Sequence, residues 1–279
     1  MKSRVLSRRR FISTAAAVPL SAGVGKLHAF ENCDILVKDM PNGLDVSNWI
    51  PAGSQKHEKT VYAVVAPWCP YCAELFSRVS AGEFDISFRF IPADARDSFD
   101  QARITKAFSL GGDRGIEALF DRRDRRIENS PFHFALNNIQ QQTYWSIWNW
   151  SERIMPSMRF GTPYLLSSFD EGPFIGYGGM GLLDDPALMK RIATYPHAAA
   201  SPGIERTRAY GKARLHPPRR VSFASGGYLL AAPNDAALPR YCFGPNSVLP
   251  TIVGEFSIGN ERWFISEDSE GLHQFVRGV

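Results

Sequence analysis

Two cysteines separated by two residues constrain this chain more than any other feature. Residues 61–67, VYAVVAP, form an apolar run rich in β-branched side chains, which predicts a buried strand. The pentapeptide at residues 68–72, WCPYC, follows directly, and residues 73–79 have the pattern of a helix. Pro70 suits the first helical turn because its missing N–H would be unpaired there in any case. The sequence therefore predicts a strand and then a helix, with both cysteines at the start of the helix.

A cysteine pair in this position has the chemistry of a redox centre. The free N–H groups and the positive dipole end of a helix stabilise a thiolate on Cys69 and lower its pKa. Cys72 follows one turn later, close enough to attack a mixed disulfide formed at Cys69. The pattern predicts Cys69 as the nucleophile and Cys72 as the resolving thiol, with Pro70 and Tyr71 setting the redox poise. No metal or organic cofactor is needed, because the disulfide itself carries the two electrons.

Zinc binding is the alternative for this pair, since the same spacing forms half of many zinc sites. Zinc needs two further ligands, usually a second such pair or closely spaced His and Cys residues. The other two cysteines, Cys33 and Cys242, are isolated, and no two histidines have ligand spacing. The sequence therefore favours redox chemistry and predicts no metal site.

Cys33 and Cys242 lie on opposite sides of the redox segment. In an oxidising compartment they could form a structural disulfide that ties the N-terminal segment to the C-terminal part of the chain. The alternative is two buried free thiols. The sequence favours neither.

A second motif, at residues 160–166, has the sequence FGTPYLL, which predicts a turn, a proline and then a strand. With this motif and the cysteine pair, the chain resembles the thioredoxin-fold disulfide oxidoreductases, most closely the periplasmic disulfide isomerases of the DsbC/DsbG type. In that family a Thr–cis-Pro dipeptide opens a later strand and faces the cysteines, and Thr162–Pro163 matches it. The resemblance implies a thioredoxin-like α/β fold in which Thr162 and Pro163 bind the backbone of the substrate peptide.

The rest of the chain divides around this predicted domain. We assign residues 60–200 to it, with a helical insertion at about 94–158, where apolar residues recur near helical spacing. Residues 30–59 form a mixed, polar N-terminal segment. Residues 201–279 contain short β-like runs and a hairpin signal at Gly259–Asn260, which predict a small β-rich C-terminal unit. The family's dimerisation domain precedes its thioredoxin fold, whereas about thirty residues do so here, so a homodimer is left open.

Residues 1–29 have the features of an export signal. The segment at 7–12, SRRRFI, resembles the twin-arginine consensus and leads into a weakly apolar, Ala-rich stretch that is too short to span a bilayer. A cleavage site after Ala29 would release the protein into the periplasm, and retention as an uncleaved anchor is the alternative. A basic disordered tail would leave the apolar stretch unexplained.

The positive formal charge of +4 comes from this same segment. It contains six basic residues and no acidic one, and without them 26 basic residues face 28 acidic ones, a net charge of −2. Charge therefore indicates neither a nucleic-acid partner nor an anionic membrane surface.

Three other clusters receive simpler interpretations. The aromatic residues of 144–150 favour core packing over an exposed surface for unfolded clients. Residues 121–126, DRRDRR, predict a solvated helix face. Residues 111–115, GGDRG, lack both a preceding strand and a following Lys-Ser/Thr, which argues against a phosphate-binding loop.

The resemblance implies an exported protein thiol–disulfide oxidoreductase or isomerase, with cysteine-containing proteins as clients and a membrane redox partner. The direction of transfer stays open, because fields around the sulfur set the redox poise. A different class is a non-catalytic chaperone or assembly factor of a secretion or conjugation apparatus that retains the fold. The intact cysteine pair argues against that class, since a binding module has no need of an acidic dithiol.

Overall fold

The computed structural model describes residues 28–29, 40–123, 126, 130–154, 160–170, 174–194, 201 and 203–278. Except for His28 and Ala29, the predicted export signal lies outside these residues, and so does Cys33. Of the helices within them, none is long and apolar enough to cross a lipid bilayer.

The first part of the chain contains both strands and helices. In order, its elements are β1 (His28–Ala29), α1 (Met40–Asp45), β2 (Ile50–Ala52), β3 (Thr60–Val65), α2 (Pro70–Ser80), β4 (Ser87–Pro92), α3 (Ser98–Leu110), α4 (Gly112–Phe120), α5 (Pro131–Ile154), β5 (Tyr164–Ser168), β6 (Phe174–Gly178) and α6 (Pro186–Lys190). The remainder comprises α7 (Gly203–Gly211), β7 (Arg214–Phe223), β8 (Gly227–Leu230), β9 (Pro239–Phe243), β10 (Ser247–Ile258), β11 (Glu261–Glu267) and β12 (His273–Arg277). The chain is therefore an α/β protein whose last part is mostly β.

A mixed five-stranded sheet forms the centre of the first part, with strand order β2-β4-β3-β5-β6. β3 and β4 are parallel, and the other neighbouring strands are antiparallel. The central strand β3 is buried along its whole length. Val61, Ala63 and Val65 belong to one apolar cluster, while Tyr62 and Val64 belong to another. Because β3 is covered on both faces, its sequence is continuously apolar rather than alternating.

One polar residue of this sheet has an unexpected environment. The alternation of β4 predicts an exposed side chain at Arg89, yet only 6% of this residue is exposed. Its guanidinium lies 2.8 Å from an Asp45 carboxylate oxygen and 4.3 Å from the centroid of the Trp49 ring. The charge is therefore buried together with its partner, because α1 and the segment after it cover this part of the sheet.

Three helices, α3 to α5, occupy the connection between β4 and β5, where the sequence predicts a helical insertion. Gly111 and Gly112 join α3 to α4 with φ angles of 63° and 54°, a conformation that favours glycine. The prediction of a charged helix face at 121–126 is wrong for its first three residues. α4 ends at Phe120, and Asp121 leaves the helix in an extended conformation.

The second sheet is a seven-stranded antiparallel near-barrel with strand order β1-β9-β8-β12-β11-β10-β7. The hairpin signal at Gly259–Asn260 is confirmed, since Ile258 pairs with Glu261 across a two-residue turn. Apolar side chains line both faces of the sheet, and one of these clusters includes residues of α5 and α7.

Helix α5 joins the two sheets. Leu136 belongs to an apolar cluster of the five-stranded sheet, and Ile139 packs in the cluster that contains Trp263. The Asn138 side chain donates to the His273 carbonyl oxygen at 2.9 Å and accepts from the His273 N–H at 2.7 Å. Gln140 donates to the Pro92 carbonyl oxygen at 2.6 Å. One helix is therefore hydrogen-bonded to both sheets.

Candidate functional site

Cys69 lies at the end of the loop that follows β3 and caps the N-terminus of α2. Its backbone is extended, with φ −81° and ψ 117°, and Pro70 occupies the first turn of the helix. The Cys72 N–H points back to the Cys69 sulfur, with 3.3 Å between the two atoms. The sulfur thus takes the place of the side-chain oxygen that usually accepts from the free N–H groups of a helix.

Strand pairing brings the second motif to the cysteines. β3 and β5 are antiparallel, with Val64 opposite Tyr164. The end of β3 and the start of β5 therefore lie side by side, and so do the loops that contain Cys69 and Thr162. The Cys69 sulfur lies 3.2 Å from the Thr162 carbonyl oxygen, to which it donates when it is protonated. The Thr162–Pro163 peptide bond is cis.

The environment of Cys69 makes its thiol acidic. Its pKa falls from 9.0 to about 6, and the largest cause is a hydrogen bond with the Cys72 thiol. Burial opposes the change, whereas the N–H groups of Cys72 and Tyr71 and the side chain of Thr162 add to it. The Thr162 hydroxyl oxygen is buried, and its hydrogen bonding lowers the pKa of Cys72 as well as that of Cys69. Near neutral pH Cys69 is mainly a thiolate.

Cys72 has the opposite character. Burial raises the pKa of its thiol well above the ordinary value, and the hydrogen bond with Cys69 raises it further. None of Cys72 is exposed, against 3% of Cys69. The acidic sulfur of Cys69 is therefore almost completely covered. The outer surface of the site consists of Pro70 and the largely exposed Tyr71.

Trp68 is part of the site, although no pattern in the sequence predicts a role for it. Its indole N–H donates to the Asp94 carbonyl oxygen at 2.8 Å. The guanidinium carbon of Arg96 lies 3.3 Å from the centroid of its ring. Arg122 donates to the Trp68 carbonyl oxygen at 2.7 Å. These contacts fix the loop that carries Cys69, and no spacing in the sequence connects the two arginines to it.

The aromatic residues of α5 separate into two environments. Trp150 is 1% exposed and packs in the core, as predicted. Trp145 and Trp148 are partly exposed and stack with their ring centroids 4.4 Å apart. Trp148 also stacks on Phe160, two residues before Thr162, at 6.4 Å. A half-exposed aromatic surface therefore lies beside the motif that faces Cys69.

The remaining candidate residues are Cys33 and Cys242. Cys242, in β9, forms a disulfide, which rules out a free thiol at this position. Cys33 lies outside the described residues, so its pairing with Cys242 stays a prediction. Cys69 and Cys72 are both free thiols.

The zinc alternative depends on further ligands near the cysteine pair. Within the part of the chain that the structure describes, no group of three or more His, Cys, Asp or Glu residues is arranged to hold a metal ion. The groups that contact Cys69 are instead hydrogen-bonding groups that stabilise a thiolate. These groups match the needs of thiol chemistry.

Comparison with protein families and curated proteins identifies no relative of this chain. The sequence matches no protein-family model and no curated protein at a significant level. What the chain shows is an α/β protein with a mixed five-stranded sheet and a close pair of cysteines, one acidic and one protonated. Its activity has to follow from those atoms.

Proposed function

We propose that the chain is an exported thiol–disulfide oxidoreductase with a thioredoxin-like fold, which exchanges disulfides with protein clients through Cys69 and Cys72. One observation carries the proposal, namely that the two thiols share the first turn of α2, where the Cys72 N–H donates to the Cys69 sulfur at 3.3 Å and Cys72 itself is fully buried. This arrangement lowers the pKa of Cys69 and raises that of Cys72. Disulfide exchange needs a thiolate that attacks and a second thiol that waits. A pair with a purely structural role has no need of this difference.

The atoms support a two-step exchange. The Cys69 thiolate attacks one sulfur of a client disulfide, forming a new S–S bond, and the other client sulfur leaves as a thiolate that takes up a proton. Cys72 then loses its proton and attacks the Cys69 sulfur. This closes the Cys69–Cys72 disulfide and releases the remaining client sulfur as a thiolate. Two electrons pass from the dithiol to the client, and the reverse sequence oxidises a client dithiol.

Thr162 and Pro163 supply the surface that receives the client. The Thr162 carbonyl oxygen is 3.2 Å from the Cys69 sulfur. An extended client segment held against this backbone would have its own sulfur within reach of Cys69. The Pro163 carbonyl oxygen already accepts from the Gly179 N–H at 2.8 Å, which fixes the start of β5.

The cellular setting is part of the proposal. The twin-arginine-like segment at residues 7–12 would deliver the protein to the periplasm, where disulfides persist in secreted clients. A membrane redox partner would return the pair to its working state after each exchange. The reduction potential of the pair decides between isomerase, oxidase and reductase action.

Separate substitution of the two cysteines tests the proposal. Cys72→Ala should trap mixed disulfides between Cys69 and a client, because the second attack cannot occur. Cys69→Ala should trap at least about tenfold less, because the remaining thiol is buried and protonated. Incubation with a scrambled, disulfide-containing client, followed by non-reducing electrophoresis and mass spectrometry, measures the trapped species. Equal trapping by the two variants would contradict these roles, and the double variant gives the background.

A chaperone without redox activity is the second candidate, and the half-exposed Trp145, Trp148 and Phe160 favour it. Such a protein would suppress client aggregation equally well after both cysteines are replaced by alanine. An oxidoreductase would lose client disulfide exchange in the same variant. Measuring both quantities on one client separates the two functions.

A further inference from the structure

A groove of about 500 Å³ opens beside the loop that carries Cys69. Trp68, the residue before the nucleophile, forms part of its wall, and the partly exposed Phe99 adds an apolar surface. Arg96 and Arg122 are exposed and also line the groove. Nothing in the proposed exchange between the two cysteines uses this groove.

The carboxylates of the groove are already engaged by the protein. Asp100 is 3% exposed and forms an ion pair with the buried Arg103. The second carboxylate oxygen of Asp100 accepts from the backbone N–H of Arg96 at 2.9 Å. Asp97 caps α3 by accepting from the N–H groups of Phe99 and Asp100, each at 2.9 Å. These acidic groups therefore serve to hold the groove in shape.

The guanidinium groups of Arg96 and Arg122 are less fully used. Among the described residues, neither forms an ion pair with a carboxylate within 4 Å, although Asp94 is near enough for Arg96 to influence its pKa. Arg96 is stacked on the Trp68 ring, which leaves the N–H groups at its edge available. Arg122 is fixed by its bond to the Trp68 carbonyl oxygen and has further donors. Two guanidinium groups that contact the same tryptophan beside an apolar wall have the chemistry to bind a carboxylate.

We propose that this groove binds an Asp or Glu side chain of the client, close in sequence to the client cysteine that reacts with Cys69. The inference rests on the proposed function and adds a substrate preference to it. The groove begins at the residue next to Cys69, and an extended chain advances about 3.3 Å per residue. The bound carboxylate therefore belongs to a residue about one to three positions from the client cysteine.

Three peptides that differ only in the charge of the residues flanking one cysteine test the preference. Each contains a single cysteine, held as a mixed disulfide with 2-mercaptoethanol. The residues immediately before and after this cysteine are both Glu, both Gln or both Lys. The second-order rate with the reduced protein should fall in the order Glu, Gln, Lys. The Glu-to-Gln ratio should be about three- to fivefold at low ionic strength and should shrink as salt is added.

Substitution of the arginines identifies the source of the preference. Arg96→Gln and Arg122→Gln should each lower the Glu-to-Gln ratio, and the double variant should bring it to about one. Arg123→Gln is the matched control, because Arg123 is next in sequence, exposed and paired with Asp121 at 2.9 Å. That control should keep the full ratio. A ratio measured within one variant is insensitive to changes in the reactivity of Cys69 itself.

The outcomes separate this inference from the function on which it depends. Failure of all three peptides to react would overturn the proposed exchange activity. Reaction with the Gln peptide but without a charge preference, or with a preference that survives the double variant, would overturn the groove alone. Oxidised glutathione is a fourth substrate. An effect of the arginine variants on glutathione but not on the Glu peptide would overturn the assignment to a protein client.

Discussion

Cys69 owes its acidity to groups from two distant parts of the chain. Cys72 and Tyr71 belong to the same helical turn, whereas Thr162 arrives through the pairing of β3 with β5. Helix position alone would supply only part of the effect. The buried Thr162 hydroxyl lies where it can donate to a thiolate on Cys69.

The pH dependence of Cys69 alkylation tests this origin. In the reduced protein the rate with iodoacetamide should rise with pH, reach half its maximum near pH 6 and level off above it, because only the thiolate reacts. Thr162→Val keeps the shape of the side chain and removes the donor, so the midpoint should rise by about one pH unit. Ser77→Ala is a control on the exposed face of α2, where the hydroxyl binds Ala73. A wild-type midpoint near the ordinary value of 9.0 would exclude an activated thiol.

At the N-terminus of helix α2, the lowered pKa of Cys69 makes the stability of the folded state depend on pH. The folded state holds the Cys69 pKa near 6, whereas the unfolded chain has the ordinary value of 9.0. A group whose pKa is lowered by folding stabilises the folded state above its unfolded pKa, and this contribution is lost as the pH falls through the folded pKa. Cys72 acts in the opposite sense, but only above its own unfolded pKa, because its folded pKa is raised.

The reduced protein should therefore gain stability between about pH 6 and pH 9.0. Relative to Cys69→Ser, which preserves an N-cap residue, the free energy of unfolding should rise by about 1.4 kcal/mol for each pH unit. Urea unfolding of both proteins under reducing conditions measures this difference, and the comparison cancels other titrating groups such as His273. Parallel curves for the two proteins would mean that folding does not change the acidity of Cys69.

At the same scale, the elements show what the sequence could predict. The β-branched run and the proline after Cys69 predict β3 and α2, because both signals are local. The closeness of Cys69 and Thr162 was implied only by the resemblance of two motifs, since it depends on the pairing of distant strands. The groove at Trp68 could not be predicted. Arg122 is 54 residues from Trp68, and its contact depends on how α3 and α4 pack beside the cysteine loop.

Within the described residues, apolar side chains connect the two sheets. Helix α5 contributes to apolar clusters on both sides. Leu44 of α1 and Leu238, just before β9, share a cluster with Tyr62 of the five-stranded sheet. The composition of residues 201–279 suggests a separate unit, because composition reports what a segment is made of and not what it packs against. The contacts instead favour one cooperative structure.

Phe275→Ala tests cooperativity from the sheet that does not contain the candidate site. Phe275 is fully buried and packs edge-to-face on Tyr210 with ring centroids 4.7 Å apart. The variant should therefore lower the free energy of unfolding by about 3–5 kcal/mol. Cys72 in the other part of the molecule is also fully buried and reports unfolding by becoming reactive to a thiol reagent. If the sheets unfold together, Phe275→Ala should lower two urea midpoints by the same amount. One is the midpoint for the reaction of Cys72, and the other is the midpoint for the loss of circular dichroism.

Leu215→Ala is the matched control, since Leu215 lies on the same sheet but is 51% exposed. The free energy of unfolding of this variant should change by no more than about 0.5 kcal/mol. Independent units would give a different result with Phe275→Ala. The circular dichroism would then show an early transition of the C-terminal sheet, while Cys72 would become reactive at the wild-type urea concentration. That outcome would make residues 201–279 a domain, and the contacts made by α5 would then be an interface between two folded parts.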